Sequence, residues 1–166
     1  MRVMIETRGA AEDFSVFFRR EYPRLARACL LLTSHHGDAE ELAQEALARA
    51  YMKWADVAIM ESPAGYVYRT ALNLNRKRLR RLAVRARHVL TPTPHLDVDD
   101  ADERVDLMRA IRALPRGQRE ALVMVEWLDL DVEEAASLLG IAPASVRGRL
   151  FRARQALRER FGGTDA

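Results

Sequence analysis

One cysteine, Cys29, stands in the whole chain, which excludes an intrachain disulfide framework and any cysteine-built zinc site. It lies among Leu30, Leu31 and Leu32, so a small buried hydrophobe is expected there rather than a nucleophile. Glycine (8) and proline (6) are scarce among 166 residues, aromatics make up 7 %, and alternating β-branched runs are almost absent. That composition argues against sheets and against low-complexity disorder. No apolar run approaches the roughly 20 residues that span a bilayer, so no membrane insertion is expected. Met1 to Gly9 carries Arg2, Glu6 and Arg8 without an apolar stretch of signal-peptide type, and a cytoplasmic location is the expectation. The chain shows no phosphate-cradling glycine loop, no Ser/His/Asp set and no paired-carboxylate site. His35-His36 with Asp38 lacks a second ligand pair, and the acidic stretch near Asp97 lacks the glycine and spacing of a calcium loop. No catalytic residue, metal or cofactor is therefore expected, and the protein is not expected to be an enzyme.

Alanine, leucine, arginine and glutamate dominate, and all are strong helix formers. With 49 % hydrophobic and 31 % charged residues, the chain can build cores and keep them soluble. An all-α fold follows, as two small helical domains joined by a flexible acidic linker. The first unit spans about 10–83. Phe14, Phe17, Phe18, Leu25, Ala28 and Leu32 recur at helical spacing, with Pro23 as a kink or a break. Ser34 to Asp38 reads as a turn with Asp38 as N-cap. Ala39, Leu42, Ala43, Ala46, Leu47, Ala50, Tyr51 and Trp54 then trace one apolar face. Asp56 to Ser62 reads as a loop, and Pro63 opens a helix running to about Leu82. In the linker, 84–102, Thr91-Pro92-Thr93-Pro94 resists helix and Asp97, Asp99, Asp100 and Asp102 favour solvation. The second unit, 103–161, has its own apolar set in Leu107, Met108, Ile111 and Leu114, and a further helix runs through Ala121, Leu122 and Val125.

Charge is segregated along the chain. Lys+Arg is 27 against Asp+Glu 24, a net +3, yet between Glu61 and Asp97 there is no acidic residue while Arg69, Arg76, Lys77, Arg78, Arg80, Arg81, Arg85 and Arg87 all fall there. A second basic block holds Arg147, Arg149, Arg152, Arg154, Arg158 and Arg160, relieved only by Glu159. Uncompensated cations on a helix repel one another unless a polyanion neutralises them, and nucleic acid is the obvious polyanion.

The second block sits on a helix-turn-helix pattern. Asp131 caps a short helix whose first turn holds Glu133 and Glu134, as the macrodipole favours. Ala135, Ala136 and Leu139 form its inner face, Gly140 ends it, Ile141 plugs the turn and Pro143 starts the next helix. Val146, Leu150, Ala153 and Leu157 repeat on the buried side of that helix. Ser145, Arg147 and Arg149 are expected to reach base edges, and Arg152 and Arg154 to hold phosphates. Taken alone, these features leave two alternatives open. One is a stand-alone helix-turn-helix regulator, and the other is an interaction module whose basic blocks bind acidic partners or lipid head groups.

Both halves together resemble the bacterial sigma factors of the sigma-70 family, extracytoplasmic-function group. Asp38-Ala39-Glu40-Glu41-Leu42-Ala43-Gln44-Glu45 through Trp54 resembles the core helix of region two, and Pro63 to Arg69 with Ala71, Asn73 and Leu79-Arg80-Arg81 resembles the promoter-facing helix after it. Leu114-Pro115-Arg116-Gly117-Gln118-Arg119-Glu120, Leu139-Gly140-Ile141 and Arg149 to Arg154 resemble region four. The resemblance implies a transcription initiation factor that binds core RNA polymerase and promoter DNA, is held by an anti-sigma factor, and is a monomer when free. It implies polymerase binding by Asp38, Glu41, Gln44 and Glu45, with an i,i+4 pair from Glu45 to Arg49 as a compatible local role. It implies minus-ten contacts by Tyr66, Arg69, Asn73, Arg76, Arg80 and Arg81, and minus-thirty-five contacts by Ser145, Arg147, Arg149, Arg152 and Arg154. Tyr66 would stack on an unpaired base for about 1–3 kcal/mol, whereas Trp54 and Tyr68 are expected in the core by periodicity. The loop Ala55 to Ser62 would, by resemblance, hold a flipped base. Leu72 departs from a common arginine, Ala142 lacks a capping hydroxyl, and Gly148 lies inside the recognition helix at a cost of about 1 kcal/mol relative to alanine.

Overall fold

The computed structural model describes residues 12–87 and 103–162; of the expected linker, 84–102, residues 88–102 lie outside the described residues. Helix α1 spans Phe14–Thr33, α2 His36–Met52, α3 Trp54–Val57 and α4 Pro63–Ala86. In the second unit α5 spans Glu103–Ala113 and α6 Arg116–Leu122, which runs into a π turn over Val123–Trp127. Helices α7 (Val132–Leu139) and α8 (Pro143–Phe161) complete it, and no strand occurs among the described residues.

Asp13 starts α1 by accepting the backbone N–H of Ser15 at 2.8 Å. The helix continues through Pro23 rather than breaking there. Pro23 and Arg19, whose carbonyl loses its usual donor, both lie on the exposed side of the helix, where burial does not penalise the missing bond. Ser34 then turns the chain with φ 65° and donates its N–H to the Leu30 carbonyl. This turn is tighter than expected, so α2 begins at His36 and Asp38 is not its N-cap. Asp38 falls in the first turn instead, where Arg78 Nη1 of α4 donates to Oδ2 at 2.6 Å.

The periodic face of α2 is buried as expected: Ala39, Leu42, Ala43, Ala46, Leu47 and Ala50. Its alanines let α1 and α4 pack closely on it. Trp54 extends this core. Its ring lies 4.8 Å from Phe17 and 5.2 Å from Phe14, and Nε1–H donates to the Glu12 carbonyl at 3.0 Å. The expected loop is therefore shorter, because Trp54–Val57 is helical. At the other end α4 runs to Ala86, one turn beyond the expected Leu82. Leu72 is fully buried, which gives its departure from a common arginine a packing reason.

In the second unit Asp131 and Glu134 form a reciprocal capping box. Gly140 closes α7 at φ 68°, a left-handed conformation that costs glycine nothing. The two units are not held apart. One hydrophobic core runs from Phe17, Leu31, Leu47 and Leu72 to Met124, Leu139, Val146 and Leu150. Helix α1 packs against α5, α6 and the π turn, and α4 packs against α7.

Two buried groups make the core sensitive. Glu21 is almost fully buried. It accepts the Tyr68 hydroxyl at 2.5 Å and Arg20 Nε at 2.9 Å. Tyr68→Phe leaves that carboxylate short of one donor and is expected to cost about 1–3 kcal/mol in a urea titration. Burial pushes the Cys29 thiol up to about 12, from 9.0 in an exposed chain. The folded state thus keeps the proton longer than the unfolded state. The resulting stability is present in full below about pH 9 and is lost as pH rises toward 12. Unfolding titrations at pH 7, 9 and 11 should show the wild type losing stability more steeply at high pH than Cys29→Ala.

Candidate nucleic-acid and polymerase interfaces

Three surfaces carry the residues singled out from the sequence. The first is the outer side of α2. Glu41, Gln44 and Glu45 are exposed there, while Asp38 is half-buried under Arg78. Arg49 Nε donates to Glu45 at 2.7 Å, the expected local pair. Beside this row a groove separates α2 from α4, with Asp38, Glu41 and Glu45 on one wall and Lys77, Arg78 and Arg81 on the other. A partner here meets carboxylates and guanidinium groups at once.

The second surface is α4. Asn73, Arg80 and Arg81 are exposed, and Tyr66 is half-buried. Arg69 and Arg76 are already occupied. Arg69 Nη2 donates to the Ser137 hydroxyl of α7 at 3.1 Å, and Arg76 Nη2 donates to Glu120 Oε2 of α6 at 3.1 Å. A third bond crosses the same seam, from Arg24 Nη2 of α1 to Asp129 Oδ2 at 3.0 Å. Tyr66 and Arg69 also line a cavity shared with Leu130, Glu133 and Ser137.

The third surface is α8. No side chain caps its start at Ala142. Ser145, Arg147, Arg152 and Arg154 are exposed, and Arg149 is half-buried. Arg147 lies 3.6 Å from Glu133, and Arg154 pairs with Glu126. The Arg149 guanidinium lies along the first turn of α6, so close that a Cβ on Gly117 would sit 3.0–3.3 Å from three of its atoms. It is thus turned toward α6 rather than outward.

Glu120 was not singled out from the sequence, although its place within the α6 face of Ala121 and Leu122 offered a signal. Its side chain is 2 % exposed and takes Arg76 on one oxygen, with Arg116 at 3.5 Å from the other. Arg119 lies beside it, with its pKa lowered by burial, opposed by Glu120, and lowered further by Arg112 and Arg116. One carboxylate therefore serves several guanidinium groups. Glu21 and Asn75 were missed in the same way. Each sits at an apolar position of its helix, in the rows Phe17–Glu21–Leu25 and Ala71–Leu72–Asn75.

Two units of helices, the second a capped helix-turn-helix with an arginine-rich outer helix, have the architecture of a DNA-binding protein. The chain matches Sigma-70 region 2 over residues 17–85 and Sigma-70, region 4 over residues 104–157. It is 30 % identical over 163 residues to the RNA polymerase sigma-E factor of Streptomyces coelicolor, across 95 % of this chain and 90 % of that protein. It is 28 % identical over 159 residues to the ECF RNA polymerase sigma factor SigM of Mycobacterium tuberculosis, across 93 % of this chain and 80 % of that protein. Its fold is similar to the sigma factor RpoE solved with the anti-sigma factor NepR from Bartonella quintana, with TM-score 0.77 and 23 % identity, across 93 % of this chain and 99 % of that one. The chain belongs to the sigma-70 family of RNA polymerase sigma factors, in the extracytoplasmic-function group. It is a transcription initiation factor that directs RNA polymerase to promoters.

Because Arg76 and Glu120 touch across the seam, their removal should not be additive. In urea unfolding, Arg76→Ala and Glu120→Ala are expected to couple by at least about 0.5 kcal/mol. Strict additivity would mean that the pair contributes nothing to holding the units together.

Proposed function

We propose that region two docks on core polymerase through Glu41, Gln44, Glu45 and Asp38, that α4 holds minus-ten DNA, and that α8 enters the major groove at the minus-thirty-five element. The factor itself has no catalytic residue in this reading. It works in the cytoplasm as a positioning subunit, monomeric when free. The observation that carries the reading is the separation of charge: an acidic row on α2, basic rows on α4 and α8, each on an exposed helix face. Asn73 can pair with a base edge and Tyr66 can stack on an unpaired base, while Arg69, Arg76, Arg80 and Arg81 hold phosphates.

The packed arrangement is the resting form. With Arg69 on Ser137 and Arg76 on Glu120, these two arginines are not free to take phosphates until region four moves away, whereas Arg80 and Arg81 are already exposed. An anti-sigma factor that clamps the two units would keep them in this form; the similar sigma factor RpoE was solved in complex with an anti-sigma factor, NepR. The domain limits suited to this reading are 10–83 and 103–161, with 84–102 as the tether between them.

Run-off transcription with core polymerase tests the reading. Addition of the full chain should confer start-site selection, and a chain that fails to bind core enzyme in a pull-down would falsify it. Arg80→Ala is expected to weaken promoter and non-promoter duplexes alike and to reduce the salt slope by about one.

A further inference from the structure

The seam between the units is not filled by its own side chains. An open cavity of about 890 Å³ lies there, within the size range of sites that hold a ligand. Met60 and Glu61, from the turn before α4, form one wall, and Leu130, Glu133, Glu134 and Leu138 form the other. Acids thus outnumber cations around it. Glu133 lies 3.6 Å from Arg147, and Glu134 accepts the Asp131 N–H on one oxygen, whereas Glu61 forms no ion pair among the described residues. Arg69, the cation of the lining, is turned to Ser137. Because the walls come from different units, whatever fills the cavity binds the packed form alone and stabilises it.

An occupant that fits is apolar at its centre and cationic at its ends. Residues 1–11, which lie outside the described residues, have that make-up: Val3-Met4-Ile5 falls between Arg2 and Arg8, with Glu6 the single acid. They also join the fold close by. Glu12 gives its carbonyl to Trp54 Nε1–H at 3.0 Å and its carboxylate to Arg20. From Trp54 the chain makes the turn of α3 and reaches Met60 three residues later, a path of at most about 15 Å. The stretch from Ile5 to Glu12 extends to about 25 Å, so the apolar triplet can reach the cavity. Charge disfavours two other fits. The expected linker carries Asp97, Asp99, Asp100 and Asp102, which the acids of the cavity repel. Tyr51 and Met52 offer exposed apolar surface beside Phe14, but Lys53 next to them repels Arg2 and Arg8. We propose that residues 2–8 form a strap across the seam, with Arg8 on Glu61, with Val3, Met4 and Ile5 over Met60, Leu130 and Leu138, and with Arg2 beside Glu133 and Glu134. By binding only the packed units, the strap keeps Arg69 and Arg76 in their contacts with region four. This rests on the packed resting form proposed above and adds the segment that secures it.

The test is cysteine cross-linking in the full chain under mild oxidation. Native Cys29 is 1 % exposed and does not compete. Ile5→Cys is combined in turn with Met60→Cys on one side of the cavity, with Ser137→Cys on the other, and with Met52→Cys as the rival seat. A disulfide needs Cα atoms about 4.4–6.8 Å apart, so a seated segment forms one quickly. The Met60→Cys and Ser137→Cys pairs are expected to close at least about tenfold faster than the Met52→Cys pair, an excess that about 1.4 kcal/mol of docking provides. Equal rates, or fastest closure at Met52→Cys, overturn the strap. So does closure at Met60→Cys without closure at Ser137→Cys, because the segment would not bridge the units. Disulfides between two chains instead of within one would assign the cavity to a second copy and overturn it as well. Trypsin reads the proposed ion pair without added cysteines. Cleavage after Arg8 should run about 2- to 5-fold faster in Glu61→Gln, the range of an exposed ion pair, and an unchanged rate contradicts the Arg8–Glu61 contact. The Arg76–Glu120 coupling reports the packing separately. If that coupling is absent, the packed form has failed and the strap with it; if it is present and the cross-links are not, the strap alone has failed.

Discussion

Guanidinium groups crowded on helices without carboxylates between them must find counter-charge, and the architecture follows from where they find it. Alone, the chain supplies that charge from its own second unit. Glu120 takes Arg76 and Asp129 takes Arg24, while Arg69 finds the neutral Ser137 hydroxyl. The most consequential of these is Glu120, because it is buried and already shared with Arg116. A carboxylate so placed is costly to leave unpaired, so the seam closes whenever no other anion competes.

The same economy explains why one set of residues serves two states. On the proposed function, phosphates would offer α4 the charge that region four provides in the packed form. Competition between an internal carboxylate and an external polyanion would then link the geometry of the units to the presence of DNA. The outer side of α2 stands apart from this exchange. Its acids are exposed or paired within the first unit, so the proposed contact with polymerase would not require the seam to open first.

Much of the fold was legible because its helices are amphipathic and their ends are chemically marked. The α2 stripe, the capping box at Asp131 and the left-handed Gly140 all lie where periodicity and cap chemistry put them. What failed to show was whatever depends on tertiary partners. Pro23 does not break α1 because the carbonyl it orphans lies on the exposed side of the helix, and Asp38 is drawn into the first turn of α2 beside Arg78, not left at its cap. Buried polar residues were the larger omission. Glu21, Asn75 and Glu120 occupy apolar positions of their helices, which reads as noise in one sequence; for Glu21 and Glu120 it becomes meaningful only once Tyr68 and Arg76 arrive from elsewhere in the chain. Arg149 likewise looks outward in a linear pattern, and only its contact with Gly117 shows which way it turns.

The π turn over Val123–Trp127 has a genetic corollary. Such a turn holds one residue more than an α-helical path of the same length, and a residue in a helix advances about 100° and 1.5 Å. Everything after it, from the Asp129 elbow to α8, is phased by that surplus residue. Substitutions within the segment must preserve the burial of Val123 and Met124 and the Glu126–Arg154 pair, but an in-frame loss of a single codon would re-aim the start of the helix-turn-helix while leaving each of its helices intact.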